Sequence, residues 1–406
     1  MPDERDGIKM SSFIAEQLAL HPSIAPQDVI KMCFQAAYGA EHLLTDMHKV
    51  REYFLAEYNF CEKNSQPVAE FIAPEVCRVN LGAWKKLALP WEWLFNLFVR
   101  SASVSMEGGD KRFFEYVNEW SGFVQNNGQI PGFSYGELQA YIQDYLAKCE
   151  GGKPQAVHHS QQYRDSEKPA YRVISGPFVR LVPILVEVAG QTGKSKGSVT
   201  SVGAKRSSIL RHQLNPSARV VSQSPFLRGW QKFAQQTFVG GSIIAIDGRA
   251  ASGKSTLAAG LRDIIGAEAI HMDDFFLPPE LRTATRLSEP GGNIHYERFA
   301  QEVLPHLASG RGFEYRIFDC DTNSYNGTRK VVPSPWRVVE GSYSHHPRFG
   351  DYADVRVFST VDSMTQMERI TARNGTKMAA MFAAKWIPME EAYFEAYDIA
   401  ENATCV

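Results

Sequence analysis

The sequence predicts an α/β chain, a mostly parallel sheet with flanking helices, preceded by a mostly α-helical domain. Three observations carry this reading. From Ile8 to about Leu146 apolar residues recur at spacings of three and four, the period of a helix. Beyond Ser242 the pattern changes to short apolar runs alternating with helical stretches, as in a parallel sheet covered on both faces. Between the two halves, from Val188 to Ile246, there is no Asp or Glu, while Lys194, Lys196, Lys205, Arg206, Arg211, Arg219 and Arg228 stand among Ser and Gly. That is the composition of a solvated connector.

The 406 residues exceed what one hydrophobic core usually organises. The expected division is a helical domain over residues 1–190, a basic Ser/Gly-containing linker over 191–240 and the α/β domain over 241–406. In the first domain the helical signal falls on Ile14 and Leu18, on Ile30, Phe34 and Tyr38, and on Leu94, Leu97 and Phe98. The apolar run Phe178 to Val188, between Pro177 and Gly190, is expected to close that domain.

With 44% hydrophobic and 22% charged residues and a net charge of -2, the whole chain offers no electrostatic case for a membrane or a nucleic-acid partner. The basic stretch alone is a weak basis for one. Cys33, Cys61, Cys77, Cys149, Cys320 and Cys405 are scattered and form no C-x-x-C pair, which fits a reducing cytoplasm. The amino terminus, Met-Pro-Asp-Glu-Arg-Asp, lacks an apolar signal region, and Arg180 and Glu187 interrupt the most apolar stretch, so no membrane span is expected. A homo-oligomer stays compatible with all of this.

In the second half the elements follow in order. Ser242 to Asp247 reads as a strand, Ser255 to Ile265 as a helix, Ala269 to Met272 as a strand and Tyr296 to Leu307 as a helix. Arg337 to Glu340 and Val355 to Val361 read as strands, with helices from Ser363 onward. Between the first strand and helix stands Gly248-Arg249-Ala250-Ala251-Ser252-Gly253-Lys254-Ser255-Thr256, which satisfies G-x-x-x-x-G-K-[ST]. A polyphosphate needs several backbone N–H groups converging on it, and a glycine-rich turn ahead of a helix amino terminus supplies them. Gly248, Ala250, Ala251, Ser252, Gly253, Lys254, Ser255 and Thr256 are therefore expected to hold ATP, in the manner of a P-loop NTPase. Lys254 would hold the β- and γ-phosphates and the Ser255 hydroxyl would coordinate Mg²⁺.

The strand ending at His271-Met272 runs into Asp273-Asp274-Phe275-Phe276, two carboxylates just past a strand terminus on the side of the γ-phosphate. A hydroxyl acceptor needs a base within reach, and Asp273 is the candidate. Both aspartates could instead cap the next segment. Arg337-Val338-Val339-Glu340 is an apolar run ending in an acid, which suits Glu340 to the Mg²⁺ site.

Gly248 to Thr256, Met272-Asp-Asp-Phe-Phe, Glu289-Pro-Gly-Gly-Asn and Val339-Glu-Gly-Ser-Tyr-Ser together resemble the uridine kinase and phosphoribulokinase family, over roughly Ser242 to Tyr397. The resemblance implies that Asp273 is the base toward a sugar hydroxyl and that Phe275 and Phe276 shape the acceptor pocket. It implies a hairpin over that pocket, for which the alternating Phe313 to Asp319 is the candidate first strand, with Tyr315 and Arg316 toward the substrate. It also implies lid arginines, and Arg369 and Arg373, four apart on one helix, occupy a comparable place. Where uridine kinases carry an Asp-containing segment, Asn293-Ile294-His295-Tyr296-Glu297 stands here, so contacts to a ribose are expected to differ.

In the first half three polar clusters stand out: Gln35 to His42, Arg78-Val-Asn80, and Val157-His158-His159-Ser160 followed by Tyr163, Tyr171 and Arg172. Glu41, His42, His158 and His159 could form a second site, a metal or acid–base one, or a polar network between helices. Two functions remain in view. One is an ATP-dependent kinase phosphorylating a hydroxyl of a nucleoside or other ribosyl-type metabolite; the other is an ATP-binding switch controlling the first domain or a partner. The Asp273 segment and the hairpin favour the kinase, since a switch needs no acceptor pocket.

Overall fold

The structure, a computed structural model, describes residues 10–44, 46–128, 130–192 and 242–406. The basic linker expected over 191–240 thus lies outside the described residues save its first two positions. The chain divides after Val179 into two units.

The first unit is built mainly of helices: α1 Met10–Leu20, α2 Pro26–Tyr38, α3 Met47–Phe60, α4 Leu81–Lys86, α5 Trp91–Ala102, α6 Gly109–Asn127, α7 Tyr135–Lys148 and α8 Gln161–Glu167. Their apolar positions at three and four build the core, where Ile14, Ile30, Leu94 and Leu97 are fully buried. The helical reading overlooks a small antiparallel sheet of β1 Ala69–Ala73, β2 Val76–Asn80 and β3 Tyr171–Ser175, in that order across the sheet. β2 lies between the other two, and its residues Val76 to Val79 are all buried. Arg78 sits in register with Glu70 on one side and Val173 on the other.

The second unit begins at Arg180, not at residue 241. The segment expected to close the first domain instead forms α9 Leu181–Thr192, which packs on the sheet and helix of the second unit. The reason is visible at Gly260, where a Cβ would stand 2.6 Å from Leu181 Cδ1. The missing side chain lets α9 lie close against the helix that carries Gly260.

That unit holds a five-stranded parallel sheet. Its strands are β4 Ser242–Gly248, β5 Glu268–His271, β8 Trp336–Glu340, β9 Val355–Ser359 and β10 Thr404–Cys405, in the order β10-β9-β4-β8-β5. The helices are α10 Lys254–Ile265, α11 Ala284–Ser288, α12 Tyr296–Glu302, α13 Leu304–Leu307, α14 Ser363–Met381 and α15 Ile387–Ala396. The helix expected over Tyr296 to Leu307 is broken at Val303, because Pro305 has no N–H and its ring crowds the preceding turn. A separate hairpin, β6 Phe313–Asp319 and β7 Ser324–Val331, pairs Tyr315 with Arg329 and Arg316 with Thr328.

The register levels the carboxyl ends of the strands. Ile246 and His271 both pair with Glu340, and Gly248 pairs with Ser359. The end of β4, flanked by β8 and β9, is where such sheets receive ligands. Among the described residues no helix is long and apolar enough to cross a membrane. No disulfide joins any of the six cysteines.

Candidate functional site

The loop Gly248 to Gly253 leaves β4 through a backbone that only glycine can take. Gly248 has φ +134°, and a Cβ there would stand 1.9 Å from Ser359 O. Gly253 turns the chain into α10 with φ +95°, and between them Ala251 is held at φ +57°, a region costly for a residue with a Cβ.

What holds the loop in this shape is a set of donors on its carbonyls. Lys254 Nζ donates to Gly248 O at 2.7 Å and to Arg249 O at 2.8 Å. Gln366 Nε2 donates to Ala250 O, Arg369 Nη1 to Ala251 O at 3.2 Å and Arg180 Nη1 to Ser252 O at 2.8 Å. With the carbonyls so occupied, the amides of Ala251, Gly253, Lys254 and Ser255 have no acceptor among the described residues. Together with the start of α10 they form a cradle of N–H groups and positive helix potential suited to a polyphosphate.

The base of the cradle is rigid. Asp247 is buried and accepts hydrogen bonds from the amides of Gly248, Tyr343 and His345 and from the Tyr393 hydroxyl. Glu390 accepts from Ala250 N and from Ser342 Oγ, and its burial raises its pKa above the ordinary carboxylate value, against the pull of Lys254.

Beside the cradle Ser255 Oγ donates to Glu340 Oε2 at 3.1 Å, and His271 Nδ1 lies 2.5 Å from Glu340 Oε1. The bond to Glu340 raises the pKa of His271. A hydroxyl and a carboxylate oxygen so placed at the mouth of a phosphate cradle are the hard oxygen donors that Mg²⁺ takes, the rest of its shell coming from phosphate and water. Nothing in the local sequence around His271 signals its contact with Glu340.

The two adjacent carboxylates past β5 have different surroundings. Asp274 is buried and bound by the Tyr315 hydroxyl at 2.9 Å and by Arg329 Nε at 2.7 Å. Asp273 is exposed and makes no hydrogen bond to a described residue. Crowding by neighbouring atoms desolvates it, and Glu340 adds negative charge, so its pKa is raised despite Lys254.

Other expected site residues fall elsewhere. Phe275 is fully buried in the core, 5.2 Å from Phe299 ring to ring, and Phe276 is partly buried on the same cluster. Tyr315 and Arg316 are neighbours on one strand and therefore point to opposite faces. Tyr315 goes inward to Asp274, while Arg316 is exposed and paired with Glu302 at 2.6 Å. Arg369 reaches the loop, but Arg373 is exposed and donates to its neighbour Asn374, near Gly375, where α14 departs from helical geometry.

Arg180 is a residue that motif reading misses. It is buried and also donates to Ser359 Oγ and Val406 O, and burial together with the charge of Arg369 lowers its pKa to about 10.

In the first unit the three polar clusters do meet, though not as a metal set. Among the described residues no group of three or more His, Cys, Asp and Glu side chains gathers to hold a metal. Glu41, His42 and His158 are exposed, and His42 packs edge-on against Phe34. Only His159 turns inward, with Nδ1 2.7 Å from Asp28 Oδ1 and Nε2 2.6 Å from the Tyr171 hydroxyl. Gln35 Nε2 donates to the same hydroxyl, and Arg78 donates twice to Gln35 Oε1. Desolvation lowers the His159 pKa to about 4, so the ring is neutral. Burial opposes ionisation of Asp28, but bonds from His159 and Ser160 outweigh it and lower its pKa.

No protein-family model and no curated protein matches the chain. Among solved structures it is similar to one described as a possible uridine kinase from Bacillus stearothermophilus, at 19% identity and TM-score 0.31, over 44% of this chain and 96% of that one. It is also similar to one described as a candidate fructose transport system kinase from Silicibacter sp. TM1040, at 23% identity and TM-score 0.34, over 42% of this chain and 92% of that one.

Proposed function

We propose that the second unit transfers the γ-phosphoryl group of ATP to a hydroxyl of a small metabolite, with Asp273 as the base. The observation that carries this is the contrast between the two neighbouring aspartates. Asp274 is spent on Tyr315 and Arg329, whereas Asp273 stands without a hydrogen-bond partner beside the cradle, with a raised pKa. A carboxylate left unpaired there is what proton removal from an acceptor needs, and a site built only for nucleotide occupancy has no use for it.

The chain's own residues divide the work. The amides of Ala251, Gly253, Lys254 and Ser255 bind the phosphates, and Lys254, once drawn off the loop carbonyls, offsets their charge. Mg²⁺ on Ser255 and Glu340 would supply further charge neutralisation. The acceptor oxygen bonds to the γ-phosphorus as the bond to the β,γ-bridging oxygen breaks; the acceptor proton passes to Asp273 and ADP leaves. Rate enhancement comes from positioning and from charges fixed in advance. A nucleoside or other ribosyl compound is the acceptor class that the family resemblance favours.

The test is a panel of nucleosides and sugar alcohols incubated with γ-labelled ATP and Mg²⁺. Label is expected in an acceptor with the wild type and in none with Lys254→Ala. Wild type that hydrolyses ATP yet labels no alcohol contradicts the proposal.

A further inference from the structure

We propose that the first unit holds a second ligand site, a cavity that binds a sugar phosphate through Lys31 and the Tyr171 hydroxyl. The cavity has a volume of about 430 Å³, within the range of small-metabolite sites. One side is apolar, with Val50 and Phe98; the other is formed by Lys31, His159, Tyr171 and Arg172.

Charge on the polar side is unbalanced. Arg172 Nη1 is paired with Glu57 Oε2 at 2.6 Å. Among the described residues the Lys31 ammonium donates only to Val157 O, at 3.1 Å, and no carboxylate lies within ion-pairing distance of it. Burial first and the Arg78 charge second depress its pKa to about 8, so it still carries its proton at neutral pH. The Asp28 charge acts on Lys31 from beyond ion-pairing distance, and a cation held in a cavity without a direct ion pair is the complement of an anionic ligand.

The hydroxyl partner follows from proton bookkeeping. Because neutral His159 donates its Nδ1–H to Asp28, Nε2 must accept, and the Tyr171 O–H is its donor. The Tyr171 oxygen accepts one bond from Gln35, which leaves a lone pair for a ligand donor such as a sugar hydroxyl. Lys31 keeps two N–H donors, and Arg172 keeps Nε and Nη2, which make no hydrogen bond among the described residues. That set exceeds what two carboxylate oxygens need and matches the three terminal oxygens of a phosphate monoester. The site stands on residues of the first unit alone and does not depend on the kinase reading.

Equilibrium dialysis of labelled ribose 5-phosphate against the full-length chain tests the assignment, with inorganic phosphate and ribonate as competitors. Saturable binding is expected in wild type and also in Lys254→Ala, which removes the P-loop lysine. Lys31→Met should weaken it at least about tenfold, Lys31→Arg should recover part of the loss, and Tyr171→Phe should weaken it several-fold, with a lower melting temperature because His159 Nε2 and Gln35 Nε2 lose a partner. The proposal is overturned if no saturable binding occurs up to about 10 mM, a range that covers weak metabolite sites. It is equally overturned if binding disappears in Lys254→Ala or is indifferent to Lys31→Met. Ribonate competing as well as ribose 5-phosphate would overturn the phosphate assignment.

Discussion

Asp274 and Arg329 are joined at two points, Nε to Oδ2 at 2.7 Å and Nη2 to Oδ1 at 3.2 Å, across 55 residues of chain. The pair fastens the β6–β7 hairpin to the turn after β5 and leaves Asp273 as the available carboxylate. Arg329→Met should therefore free the hairpin. Because the Arg329 side chain is 39% exposed, the loss of global stability is expected to be modest, about 1 kcal/mol. Amide exchange over residues 313–331 should accelerate in the variant while exchange in β4 and β8 stays slow, and uniform acceleration would deny the hairpin its fastening.

The thiol of Cys320, in the hairpin turn, has its pKa pushed up to about 11, chiefly by desolvation and then by the charge of Asp273. It should react slowly with maleimides at neutral pH although it is exposed at the surface. Asp273→Asn removes one cause of the shift and should speed alkylation by less than about tenfold. An unchanged rate would mean that the hairpin turn does not approach Asp273.

Much of the donor half of this site is legible in the sequence because its determinants are contiguous: Gly248, Gly253, Lys254 and Ser255 lie in one loop, and Glu340 ends one apolar run. The acceptor half depends on partners far apart in the chain, and local spacing does not record them. Asp274 finds Tyr315 across 41 residues and Arg329 across 55, and even in the donor half His271 finds Glu340 across 69 and Arg180 finds Ser252 across 72. Strand alternation could have separated Tyr315 from Arg316, since neighbours on a strand cannot both face the substrate. In the first half, five-residue strands flanked by long helices leave little periodic signal, so the sheet beneath Arg78 and Tyr171 is missed although those clusters are noticed.

Arg180 acts on the cradle from behind. Arg180→Met removes donors from Ser252 O, Ser359 Oγ and Val406 O, and should raise the Kd for ATP roughly tenfold by loosening the loop. Arg180→Lys keeps the charge but not the forked geometry and should recover only part of the affinity. Titration with a fluorescent ATP analogue measures this, and wild-type affinity in Arg180→Met contradicts it.

The neutral His159 makes the first unit sensitive to acid. Its pKa is about 4 when folded and 6.5 in the unfolded reference, so between those values the unfolded chain binds the extra proton. The contribution is complete above pH 6.5, is lost as pH falls toward 4 and is constant below that, roughly 3 kcal/mol in all. Urea unfolding at about pH 7.5 and about pH 5 should show this loss in wild type and a smaller one in His159→Gln. Equal pH dependence in both would remove His159 from the account.

The central claim is that Asp273 takes the acceptor proton, and the most direct measurement compares wild type with Asp273→Asn for phosphoryl transfer to an alcohol and for ATP affinity in parallel. Transfer should fall by about 10² to 10⁴, the usual contribution of a general base, while the Kd for ATP changes by less than about threefold. Asp273→Asn transferring phosphate at the wild-type rate, or losing nucleotide affinity in proportion to its loss of transfer, would contradict the claim.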